Sequence, residues 1–110
     1  MNRRRMLVLS GLLLSIAVRQ PQVAWAADTQ VVIDNFSFTP ATISVTRGTK
    51  VTWTNRDDIP HTVTDADHPK TIKSPALDTG DTYSRTFLAA GTYHYFCSLH
   101  PHMQGTVVVK

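Results

Sequence analysis

Three metal-binding side chains follow one another closely near the end of the chain: Cys97, His100 and Met103, in the run Cys97-Ser98-Leu99-His100-Pro101-His102-Met103. Thiolate and thioether are soft donors and imidazole is borderline, so the set selects copper, which sulfur holds in both oxidation states. One thiolate and two imidazoles in a plane, with a weak axial thioether, is the pattern of electron-transfer copper. That pattern needs a second histidine. His61 follows Pro60 and opens an extended segment, and His68 is the upstream rival, in an irregular stretch. Read alone, Cys97 also suits a buried small hydrophobe or a nucleophile paired with a histidine. A Cys/His hydrolase would need an oxyanion hole and a third orienting group, and the sequence identifies neither. A copper oxidase needs further copper centres, and the histidines here serve one site. No enzyme is expected.

The elements that must bring these residues together read as short strands. Val31-Val32-Ile33, Thr42 to Val45, Val51 to Asn55, Thr82 to Leu88, Thr92 to Cys97 and Thr106 to Val109 are β-branched or aromatic stretches, several of them alternating and parted by turn residues. Phe36 and Phe38 alternate around Ser37, and His61 to Thr64 reads as extended. Period-two alternation with turns at short intervals predicts an all-β domain, a sandwich or barrel of about seven to eight strands. Residues 65–81 are turn-rich and carry no clear period. The run from Cys97 to Met103 lies between two strands and is expected to be a tight loop that curls its donors around a point. Asp57-Asp58-Ile59-Pro60 is expected to be a loop with its acids in solvent. His94 alternates with Tyr93 and Tyr95 and so faces away from the side of Cys97. His102 is expected to face solvent, and Trp53, Tyr93, Tyr95 and Phe87 to lie in the core.

The ends of the chain differ in character. Arg3-Arg4-Arg5, the apolar run Met6 to Val18 and the small-residue pattern Ala24-Trp25-Ala26 follow the order of an export signal, so residues 1–26 read as a cleavable segment and 27–110 as the domain. The Sec and twin-arginine routes both remain open. Four of the eleven Lys and Arg residues lie in that segment and all eight acids lie beyond it, so the domain carries about one net negative charge. Its partners are therefore not expected to include nucleic acid. A domain this small benefits from a staple. With one cysteine in the chain the staple is not an internal disulfide, and a lone thiol sent to an oxidising compartment is a liability unless something binds it.

Asp58-Ile59-Pro60-His61-Thr62-Val63 and Gly91 to Gly105 together resemble the cupredoxins, the type 1 blue copper family, most closely its amicyanins and then its plastocyanins and pseudoazurins. The resemblance implies a Greek-key sandwich, one copper ion cycling between Cu(I) and Cu(II), and His61, Cys97, His100 and Met103 as ligands. It also implies a periplasmic monomer without stable membrane association. Such a protein carries single electrons between a transient protein donor and acceptor. They would dock on an apolar rim of Ile59, Pro60, Leu99 and Pro101 around the edge of His100. A copper-sequestering or copper-delivery protein would use the same ligands and is the alternative. Two residues depart from the family pattern. Thr62 stands where the side chain of an Asn usually ties the ligand loops together and its backbone contacts the thiolate, and His102 replaces a residue that is often aromatic or apolar. In the family, a backbone amide at the position of Ser98 commonly donates to the thiolate.

Overall fold

Eight strands in two four-stranded sheets make up the described part of the protein, a computed structural model covering residues 28–67 and 71–110. The segment read as an export signal and His68 lie outside the described residues. The strands are β1 (Thr29–Asp34), β2 (Ser37–Thr39), β3 (Thr42–Val45), β4 (Thr49–Asn55), β5 (Thr64–Asp65), β6 (Thr82–Phe87), β7 (Gly91–Cys97) and β8 (His100–Val109). One sheet runs β2-β1-β4-β6 and the other β3-β8-β7-β5. The pairs β1–β4 and β3–β8 are parallel and the rest antiparallel. This is a sandwich, one of the two architectures the strand pattern predicts, and the Greek-key one that the resemblance implies.

Alternation sets the core. Val51 and Trp53 on β4, Val31 and Ile33 on β1, Tyr95 and Cys97 on β7, and Val107 and Val109 on β8 all point between the sheets and are buried. Each buried aliphatic side chain stabilises the fold by about 1.5–3 kcal/mol. Trp53 is the hub of an aromatic cluster, with Tyr83, Phe87 and Tyr95 centred 5.8, 6.4 and 5.4 Å from it. Gly105 lies opposite Tyr95 in the β7–β8 ladder. A Cβ at that glycine would sit 2.2 Å from the tyrosine ring, so the missing side chain is what lets the ring lie there. Burial raises the Tyr95 hydroxyl to about 12.

Two expectations change. The Phe36-Ser37-Phe38 alternation is not one strand. Phe38 is buried, but Asn35 and Phe36 form a two-residue turn joining β1 to β2, with φ of 48° and 55°. The run from Cys97 to Met103 is not a free loop either. Ser98 and Leu99 turn the chain, and β8 begins at His100. The ladder register shifts between Phe96 and Cys97: Phe96 pairs Gln104, whereas Cys97 pairs His100. Pro101, His102 and Met103 are the extra residues on β8, and a bulge of this kind re-aims side chains that regular alternation would separate.

Candidate metal centre

His61 enters from an irregular segment between β4 and β5. Its backbone pairs with Leu77, His61 N–H donating to Leu77 O at 3.1 Å and Leu77 N–H to His61 O at 2.7 Å. Asn55, fully buried at the end of β4, braces the segment. Its side-chain amide donates to Ile59 O (2.9 Å) and Leu77 O (2.8 Å), and its carbonyl accepts Asp57 N–H (2.9 Å). The His61 ring is fully buried. Nε2 lies 2.8 Å from Asp57 Oδ2, which leaves Nδ1 to face Cys97 Sγ at 3.6 Å.

Asp57 is therefore not the solvated turn residue expected. Its carboxylate is held below the ordinary range by the hydrogen bond to His61 and by the Phe36 backbone N–H, which reaches the same oxygen at 3.1 Å. Asp58 is exposed, as expected.

Cys97 ends β7 with its sulfur buried between the sheets. The amide that reaches Sγ is that of Thr62, at 3.3 Å. Ser98 N–H, expected there, instead donates to Thr62 Oγ1 at 2.7 Å, and the two hydroxyls lie 2.7 Å apart. Thr62 thus ties the two ligand segments together with a hydroxyl. His100 is half-buried at the start of β8, its Nδ1 3.7 Å from Cys97 Sγ. The donor atoms of His61, Cys97 and His100 all lie within 4.8 Å of one another. Met103 is buried in the same core cluster as Cys97.

The spacing of these donors can be tested against one ion. Bonds of the lengths that zinc makes, about 2.0 Å to imidazole and about 2.3 Å to thiolate, opened to about 120° as in a trigonal set, would separate nitrogen from sulfur by about 3.7 Å. The two observed separations, 3.6 and 3.7 Å, fit that figure. The donors also match the soft-and-borderline set that copper prefers.

Around the site, Leu99 is 51% exposed, Pro60 and Pro101 are exposed and Ile59 is half-buried. His94 and His102 are exposed. A surface depression of about 360 Å³, lined by His94, Phe96, Gln104 and Thr106 among others, includes none of the three donor residues. Phe36, which alternation assigned to a strand, is 52% exposed and its ring lies against both histidines, centred 5.8 Å from His61 and 5.1 Å from His100.

Residues 25–110 match the model of the copper binding proteins, plastocyanin/azurin family. Amicyanin-alpha of Methylorubrum extorquens is 39% identical over 97 residues, 86% of this chain and 82% of that protein. The chloroplastic plastocyanin of Tetradesmus obliquus is 32% identical over 112 residues, 92% of this chain and 74% of that one. Among solved structures, a purple cupredoxin from Nitrosopumilus maritimus superposes with a TM-score of 0.71 at 35% identity, covering 76% of this chain and all of that one. With the sandwich and the donor cluster in place, the chain belongs to the plastocyanin/azurin family of copper-binding proteins, and one copper ion is its cofactor.

Proposed function

We propose that the protein is an exported carrier of single electrons, its copper held by His61 Nδ1, Cys97 Sγ, His100 Nδ1 and, weakly, Met103. The observation that carries this reading is the convergence of two imidazole nitrogens and a buried thiol at metal-bridging distances. Protein hydrogen bonds brace the His61 side of the site and the sulfur. Asn55 fixes the His61 segment, Asp57 orients the His61 ring, and the Thr62 amide partners the sulfur. Copper supplies a centre that gains and loses one electron. Donors fixed by such a frame move little between the two states, so little reorganisation opposes transfer. The relatives, amicyanins and plastocyanins, support the same reading. A thiol buried beneath two histidines favours retention of the metal over its delivery to an acceptor.

Electrons would pass at the exposed end that carries His100. The apolar residues there (Phe36, Ile59, Pro60, Leu99 and Pro101) offer a small surface for the brief, weak contacts that electron-transfer partners make. Export through residues 1–26, to a periplasm-like compartment, completes the proposal.

Addition of cupric ion to the purified domain tests the assignment. An intense visible band from thiolate-to-copper charge transfer is expected, and Cys97→Ser is expected to abolish it. A colourless wild type, or a blue Cys97→Ser protein, would overturn the ligand set.

A further inference from the structure

Phe36 occupies a position that the chain could fill more easily with another residue. A two-residue hairpin turn with φ positive at both places is ordinarily filled by Asn and Gly, because a Cβ is crowded in that conformation. Asn35 suits its place. Phe36, at φ 55°, does not. Nor does burial compensate for the strain, since half of the residue remains exposed. Strain kept at a position where glycine would relieve it points to function.

The contacts of the ring suggest what that function is. Phe36 stands nearly perpendicular to both histidines, at 85° to His100 and 88° to His61. Perpendicular edge-to-face pairs are favoured by the ring quadrupoles. The turn is pinned from beneath by one carboxylate oxygen, Asp57 Oδ2, which accepts the Phe36 N–H at 3.1 Å and meets His61 Nε2 at 2.8 Å. Asp34 Oδ1 accepts Asn35 N–H at 2.9 Å and steadies the near side of the turn. The two histidines are not equally secured. His61 is buried and anchored at Nε2 by Asp57, whereas His100 is half-buried, and its ring meets Cys97 Sγ, the His61 ring and Phe36.

We propose that Phe36 is a positioning residue of the metal centre: its ring clamps the His61 and His100 imidazoles in the arrangement that binds the metal and covers them from solvent. The inference rests on the ligand assignment above. It gives a reason for an aromatic side chain to stand at a strained turn.

Phe36→Gly separates the clamp from the fold, because glycine relaxes the turn. The metal-free variant is expected to match or exceed the wild type in thermal stability. In nuclear magnetic resonance spectra of the metal-free protein, the His100 ring protons are expected to lose the displacement caused by the Phe36 ring current, and the imidazole to sample several orientations. In the copper-loaded protein, a chelator is expected to strip the metal about tenfold faster, the low end of the effect of groups that orient metal ligands. Phe36→Leu keeps bulk and turn strain but removes the ring. It is expected to fold, to show the same loss of ring-current displacement and to release copper at an intermediate rate, and it decides the matter if the glycine variant does not fold. Wild-type His100 shifts and release rate in the folded variants would overturn the proposal. So would a faster release that merely tracks a loss of stability. A wild type that binds no copper would instead overturn the ligand assignment, and the metal-free spectra would still report whether Phe36 holds His100.

Discussion

The two segments that bring donors to the centre are built on opposite plans. The segment from Asn55 to Thr62 delivers His61 from irregular chain, which pairs through one isolated bridge with Leu77, itself outside the strands. Its shape is set by side chains, chiefly the three hydrogen bonds of Asn55 and the carboxylate of Asp57. The segment that carries Cys97, His100 and Met103 is a hairpin whose shape is set by the β7–β8 ladder and one register shift. Side-chain bracing concentrates precision in a few polar groups, whereas ladder bracing spreads it over many backbone bonds. Single substitutions should therefore damage the first segment severely. They should damage the second only where they act on the backbone or on the packing against it.

Asn55→Ala breaks the comparison at its most sensitive point. It strips Ile59 O and Asp57 N–H of their partner in one step and leaves Leu77 O with the His61 N–H alone. Leaving buried polar groups unpaired costs about 1–3 kcal/mol for each group. Solvent can reach part of the loosened loop, so a total loss of about 3 kcal/mol is expected. Chemical denaturation of the metal-free protein measures it. Copper binding should weaken in parallel because His61 loses its mount. A loss below 1 kcal/mol would show that the segment is held by something other than this residue.

Gly105→Ala is the corresponding attack on the hairpin, and its effect is smaller. The added Cβ meets the Tyr95 ring 2.2 Å away, so the ring must move within the aromatic cluster around Trp53. Overpacking of this kind costs about 2 kcal/mol. The ladder on either side remains, so the blue band is expected to persist with altered intensity. Its complete loss would mean that the hairpin relies on this one contact as the His61 segment relies on Asn55.

The same contrast explains what could be read in advance. Regular alternation made β3, β4 and β6 legible, because a strand with one buried face writes its period into the chain, and apolar or aromatic runs bounded by turn residues marked β1 and β7. Cys97 and His100 were legible by donor type and spacing, and His61 by its place after Pro60. Irregular chain carries no such record. Nothing periodic shows where Asp57 points, and its spacing of four from His61 matters only because the segment curls back on itself. Phe36 was hidden by imitation: Phe36-Ser37-Phe38 has the period of a strand, and the turn signal Asp34-Asn35 stops just short of it. The start of β8 was hidden by Pro101, which argues against a regular strand. The residue is tolerated because it falls in the irregular part of the ladder, where no regular pairing is asked of it.

Thr62 joins the two plans, and replacing it offers the finest test. Its backbone N–H, part of the His61 segment, reaches the sulfur of the hairpin, while its hydroxyl binds the amide and hydroxyl of Ser98. Thr62→Val keeps the shape and the N–H but removes the hydroxyl. Ser98 is exposed and can turn to water, so the expected loss is about 1 kcal/mol, the net worth of a typical hydrogen bond. If the thiolate is governed by the amide, the blue band should keep its position while the metal-free protein becomes slightly less stable. A large shift of the band at unchanged stability would mean that the hydroxyl acts on the sulfur directly. Thr62 Oγ1 lies 3.9 Å from Sγ, against 3.3 Å for the amide nitrogen. That difference in reach, together with the shorter bonds the hydroxyl makes to Ser98, assigns the hydroxyl to joining the segments and the amide to the sulfur.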